Sequence, residues 1–147
     1  MTWQQAEDSC VLWGGHLATI TSRAQNELAR SFSDADCWIG YSDQAAEGSW
    51  VWADGTATAY SNWGHTWYEQ QPDNCCAGED CAFLSGTGAE STHGLPSGTW
   101  GDVDCSQTWV YGNGLGAAFV KGYVCSRAAA PPDPPQGEPL GTQVDDE

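Results

Sequence analysis

Seven cysteines dispersed over 147 residues constrain this chain more than any other feature. Cys10, Cys37, Cys75, Cys76, Cys81, Cys105 and Cys125 lack the paired CxxC spacing of a zinc ribbon or a redox motif. In a Gly- and Trp-rich, Lys-poor chain they read as a disulfide framework, and hence as an oxidising, extracellular or cell-surface setting. An odd count leaves one thiol free, paired outside the chain, or facing a segment that is not present. The start, MTWQQAEDSC, has neither the basic nor the apolar segment of a signal peptide, so a secretion signal is expected upstream, within a larger multidomain or oligomeric assembly.

The length suits one domain, residues 1–127, followed by an acidic, Pro-rich tail at 128–147 that is disordered or extended. Twenty acids against four bases give a formal charge of −16. That balance disfavours nucleic acid and anionic membranes and favours cations, calcium first, or basic partners. No apolar run approaches the ~20 residues of a membrane helix, so membrane insertion is not expected.

Thr2 and Gln5 have capping-box spacing, Trp3, Ala6 and Cys10 share a helical face, and Gly14-Gly15 supplies the stop. A second helix is predicted from Ser22 to Phe32, capped by Ser22 and Gln25, with Leu28 and Phe32 one turn apart. Beyond Asp36 come short β-like pieces, CWIGYS, WVWADG, CAFLSG and KGYVCS, parted by long Gly-, Asp- and Asn-bearing loops. The fold class is therefore α+β: two short helices, small antiparallel sheets and long loops that bind something or are cross-linked.

In chain order, WQQAEDSC, GGHLATI, CWIGYSD, EGSWVWADG, YSNW, QPDN, GEDC, WGDVDC and YVC resemble the C-type lectin-like domain family over residues 3–125. The resemblance implies disulfides Cys10–Cys125 and Cys81–Cys105, each contributing on the order of 3–4 kcal/mol in the chain-entropy model. It leaves Cys37, Cys75 and Cys76 open: a Cys75–Cys76 bridge and a bond from Cys37 to either fit the spacing equally. The family's first strand normally precedes the first helix, whereas this chain opens at the helix cap. That strand comes from elsewhere in a parent protein, or the sheet has an unprotected edge.

The resemblance also implies a primary calcium site built from the residues flanking a cis-proline, Gln71 and Asp73, together with Glu79 and Asp102. An Asn that normally precedes the last acid is here Gly101. The change removes one oxygen from the metal and one donor from the sugar. An auxiliary calcium site is implied at Asp43, Glu47, Asn74, Glu79 and Asp80. Calcium takes six to eight hard oxygen ligands, which is the chemistry that Asp-, Asn- and Glu-rich loops offer. Taken one at a time, the same acids also read as solvated loop charges.

In the family, the order Gln-Pro-Asp goes with galactose or GalNAc ligands, bound through Gln71, Asp73 and Glu79 with an aromatic ring on the apolar sugar face. Trp67 or Tyr68, in a stretch about four residues longer than usual, can supply that ring, as can Trp109 or Tyr111; each reads equally as a packing residue. Two further insertions, after Cys81 and after Cys105, suit a protein contact surface or tolerated surface loops. His16, His65 and His93 sit in no catalytic motif, His16 reading as structural and the others as surface residues, so binding is expected and catalysis is not. Three functions fit: a calcium-dependent galactose-type carbohydrate-binding module, a lectin-like structural or protein-interaction module that has lost sugar binding, and an ice-binding protein on the same scaffold.

Overall fold

A computed structural model describes residues 1–67, 69–75, 78–87, 94–106 and 120–129. Tyr68, Cys76, His93, Trp109, Tyr111 and the tail from residue 130 lie outside the described residues, as do parts of both insertions. Among the described residues the elements run α1 (Trp3–Leu12), β1 (His16–Leu17), α2 (Arg23–Arg30), β2 (Cys37–Ser42), β3 (Val51–Trp52), β4 (Cys81–Leu84), β5 (Trp100–Val103), β6 (Gly122–Tyr123) and β7 (Cys125–Ser126).

The predicted capping box starts α1. Thr2 Oγ1 accepts from the Gln5 amide at 3.1 Å while Gln5 Oε1 accepts from the Thr2 amide at 3.0 Å. Trp3, Ala6 and Cys10 point inward, and Gly14, at φ +93°, turns the chain out of the helix where a side chain would be strained. Glu7 ties the helix to the next strand: one carboxylate oxygen meets His16 Nδ1 at 2.6 Å and the other accepts from the Leu17 amide at 2.8 Å. His16 is thus a structural partner, as its place in GGHLATI suggests.

β1 pairs antiparallel with β7, and the Cys10–Cys125 disulfide joins α1 to that closing strand. The larger sheet has the order β3-β2-β4-β5, with β6 parallel to β2, and Cys81–Cys105 clips its far end. Both implied disulfides are present. Cys37 is a buried free thiol and Cys75 is disulfide-bonded, which excludes a bond between those two.

Aromatic rings fill the core beneath the sheet. Trp100, fully buried, meets Trp52, Tyr60 and Trp63 edge-on at 5.6–5.9 Å, and Tyr41 stacks on Trp52 at 4.3 Å. Two buried indole N–H groups find acceptors, Trp3 Nε1 the Ile39 carbonyl at 2.8 Å and Trp100 Nε1 Asn26 Oδ1 at 2.7 Å, whereas Trp52 Nε1 is buried without one.

That last bond corrects the expected face of α2. Leu28 and Phe32, read as its apolar pair, are 59% and 68% exposed, while Asn26 and Ala29 turn inward. The helix ends at Arg30, short of Phe32. A polar residue wins the inner face because it satisfies an indole and the Gly98 carbonyl at once.

Asn26→Ala leaves Trp100 Nε1 without its acceptor in the core and is expected to cost about 1–3 kcal/mol in urea unfolding of the oxidised protein. Leu28→Ala is expected to stay within about 0.5 kcal/mol. Equal losses from the two variants would contradict the observed helix orientation.

Candidate functional site

Three connections meet at one end of the larger sheet. β2 leaves through Asp43, β4 is entered from Asp80, and β5 runs through Asp102. Pairing of Ser42 with Cys81 and of Ala82 with Asp102 brings them to the same edge.

Asp102, only 5% exposed, organises the loop that lies over this edge. Its two carboxylate oxygens accept from the Asp73 amide at 3.1 Å and the Asn74 amide at 2.9 Å, while its own amide donates to Gln71 Oε1 at 3.0 Å. The Gln71–Pro72 peptide is cis, as the resemblance implies. Asn74 reverses the chain in the left-handed region at φ 44°, which asparagine tolerates well, and its Oδ1 accepts from the Glu79 amide at 3.1 Å.

The result is convergence. Ligand oxygens of Asp73, Glu79 and Asp102 lie within 4.8 Å of one another. With Gln71 and Glu69 they line a cleft of about 50 Å³ whose apolar side is Phe83 and Leu95. Gln71 is 7% exposed, and because a carbonyl oxygen has two lone pairs, its bond to Asp102 leaves one for another partner.

Electrostatics in the cleft are one-sided. Burial, then the charges of Asp102 and Asp73, push Glu79 up to about 8. Burial also raises Asp102 to about 6, overriding the three backbone N–H groups that favour its charged form. Glu69 is raised through its hydrogen bond to Asp73, then by burial and by the charges of Asp73 and Asp102. The ion pairs Glu7–His16 and Glu27–Arg30 both lie away from the cleft. An all-oxygen donor set of this charge on irregular loops fits calcium, and it offers none of the nitrogen or sulfur ligands that mark zinc.

The residues implied for an auxiliary site are arranged differently. Asp43, 3% exposed, accepts from the Gly48 amide through Oδ2 at 2.8 Å, while its Oδ1 is buried with no hydrogen-bond partner. The Asp43 amide donates to the Asp80 carbonyl at 3.1 Å, and burial followed by the charges of Asp43 and Asp104 raises Asp80. Glu47 is exposed. Asp43, Glu47 and Asp80 do not join the converging trio.

Glu69 escaped the sequence reading, which weighed only Trp67 and Tyr68 in its stretch; an acid two residues before the Gln-Pro-Asp element was the available signal. What surrounds Gly101 is equally local. β4–β5 register sets it against Phe83, and a Cβ there would stand 2.7 Å from Phe83 and 2.7 Å from Leu95.

Two expectations follow. Gly101→Asn overpacks the strand pair, so it should lower stability by about 1–3 kcal/mol without strengthening calcium binding, as calorimetry would show. Because Glu79 and Asp102 hold protons in the folded state that the unfolded chain has released, chelator-treated protein should lose stability as pH rises from about 4 through 6 and on to 8. Calcium should therefore raise the melting temperature more at pH 8 than at pH 5; an equal rise at both would contradict the electrostatics.

Comparison with known proteins gives the family of the fold. The chain is 34% identical over 122 residues to the alpha-N-acetylgalactosamine-specific lectin of Patiria pectinifera, which covers 75% of this chain and 66% of that protein. It is 38% identical over 126 residues to human C-type lectin domain family 10 member A, 79% of this chain and 35% of that one. The cow carbohydrate-recognition domain of CD23, solved in the presence of a GlcNAc2Man3 oligosaccharide, superposes with a TM-score of 0.67 at 27% identity, covering 88% of this chain and 82% of that one. The chain thus spans from about a third to two thirds of the length of these two sequence relatives. With the Lectin C-type domain family model matching residues 1–111, the chain belongs to the C-type lectin domain family.

Proposed function

We propose that this domain is a calcium-dependent carbohydrate-binding module of an extracellular or cell-surface protein, with galactose-type preference. The observation that carries the reading is the convergence of Asp73, Glu79 and Asp102 beside Gln71 in a cleft that no basic side chain lines among the described residues. Gln71, Asp73, Glu79 and Asp102 are the residues that would hold calcium. Bound there, calcium would supply a Lewis-acid centre for sugar hydroxyls. The buried, unpartnered Asp43 Oδ1 supports a second calcium ion held with Glu47, Asn74, Glu79 and Asp80.

A cleft of about 50 Å³ has room for an ion but not for a pyranose ring, so the sugar meets it from the rim. There the carboxylates of Asp73 and Glu79 accept hydroxyl hydrogens and the Gln71 amide donates to a hydroxyl oxygen. Trp67, 94% exposed and two residues from Glu69, offers an apolar platform for the sugar's C–H face. The order Gln71-Pro72-Asp73 and the N-acetylgalactosamine specificity named for the Patiria lectin support galactose or GalNAc as the ligand type.

One observation favours a second reading, a lectin-like structural or protein-interaction module. Phe83 and Leu95 stand at the place from which an amide would have bonded the sugar. Retention on immobilised galactose against mannose, with calcium and with chelator, separates the two. Galactose retention released by chelator is expected, and Trp67→Ala should weaken it on the order of 2- to 10-fold. Calcium binding without retention on either sugar would leave the protein-interaction module standing.

A further inference from the structure

A second concavity, of about 470 Å³, shares no residue with the acidic cleft. Its walls are aromatic and come from three places in the chain: Trp13 caps the C-terminal end of α1, Phe32 follows α2, and Tyr123 lies on β6. All three rings are exposed. The floor is stiff. Val124 donates to the Trp38 carbonyl at 3.2 Å and accepts from the Ala18 amide at 2.7 Å, and Cys125 is bonded to Cys10 of α1. Rings gathered around a rigid floor yet left exposed suit a docking surface.

The same floor delivers the chain to this groove. Two residues after Cys125 comes Arg127, whose guanidinium lies 4.5 Å from the centre of the Trp13 ring. The described chain stops at Ala129, and residues 130–147 follow in the sequence. They open with Pro131-Pro132-Asp133-Pro134-Pro135. Successive prolines favour the polyproline II helix, which has three residues per turn. At that period Pro131 and Pro134 share one face, Pro132 and Pro135 the next, and Ala130, Asp133 and Gln136 the third. The segment is therefore amphipathic, with two adjoining proline faces and one that carries its polar side chains. Aromatic grooves take such segments because the helix is ordered before it docks, so little entropy is lost. At ~3.1 Å per residue, Pro131 stands up to ~12 Å from Arg127 and the prolines extend ~12 Å further. That reaches a groove whose Trp13 wall Arg127 already touches.

Charge and tethering favour this occupant over a second copy of the chain. Two of the four bases, Lys121 and Arg127, flank the 123–125 floor, whereas the tail carries Asp133 and Glu138. A second copy would bring another formal −16 to the face. A segment tethered a few residues away is present at an effective concentration on the order of millimolar.

We propose that Pro131–Pro135 docks in this groove as a polyproline II helix of the same chain, its proline faces stacked on Trp13, Phe32 and Tyr123 and Asp133 turned to water. The test is nuclear magnetic resonance of the full, oxidised, isotopically labelled chain. Overhauser contacts are expected between proline ring protons of 131–135 and the rings of Trp13 and Tyr123. Amide order parameters at Asp133 and Gln136 should exceed about 0.6, the level below which a backbone is flexible. Trp13→Ala, at a half-exposed position, should abolish the contacts and drop both order parameters below about 0.6. Joint replacement of the four prolines by serine should do the same, and it leaves the groove itself untouched. In both variants the Trp100 indole resonance, deep in the core, should keep its position and so report an intact fold. Flexible amides at Asp133 and Gln136 in the unsubstituted chain, without contacts to the rings, would overturn the proposal. Contacts seen only between labelled and unlabelled chains of a mixed sample would overturn it too, and would assign the groove to a second copy.

Discussion

The buried carboxylate of Asp102 is the constraint on which the site depends. It sits at the end of a strand whose register is fixed against β4, and it spends both oxygens on the backbone of the 73–74 segment. Its amide holds the Gln71 side chain. One residue thereby ties a loop with no regular structure to the stiffest part of the molecule, and the loop's other acids are gathered around it. The arrangement is costly without a counter-ion, because Glu79 and Asp102 lie in a partly desolvated cleft beside further carboxylates. Cation binding is the natural relief of that cost.

The scaffold around Asp102 is aromatic. Trp100, two residues earlier on the same strand, is enclosed by Trp52, Tyr60 and Trp63, and its indole N–H is bonded to α2 through Asn26. Its backbone receives the Gly64 amide and donates to the Asn62 carbonyl at 2.9 Å, so the hairpin carrying Glu69 and Gln71 is hung from β5 as directly as Asp102 is. Packing of large rings thus fixes carboxylate positions that the loops could not fix alone. The Cys10–Cys125 and Cys81–Cys105 disulfides close the frame, the first tying α1 to β7 and the second at the foot of the site.

Much of this was legible in the sequence because it is written in local chemistry. The Thr2–Gln5 cap, the Gly14 turn and the β-like CWIGYS and CAFLSG pieces each announce themselves within a few residues. The acids at 73, 79 and 102 were picked out by their place in an ordered set of motifs, and the structure brings them together. What stayed hidden depends on partners distant in sequence. Asn26 turns inward because an indole 74 residues away needs an acceptor, and no periodicity in α2 records that need. Gly101 looks like a lost ligand until Phe83 and Leu95 are seen to occupy its space. Glu69 lies in an insertion whose path was not deducible from spacing, and Cys37 stayed ambiguous because a buried thiol and a half-cystine look the same in sequence.

The central claim, that the acidic cleft is a calcium site, is tested most directly by calorimetric titration of calcium into chelator-stripped protein at pH 7 in two buffers of different ionisation enthalpy. With Glu79 raised to about 8, calcium must displace a proton to bind, so the observed heat should differ between the buffers in proportion to their ionisation enthalpies. Saturable binding with proton release is the predicted result. No saturable heat in either buffer would contradict the claim and leave the converging carboxylates as a repulsive feature of the fold.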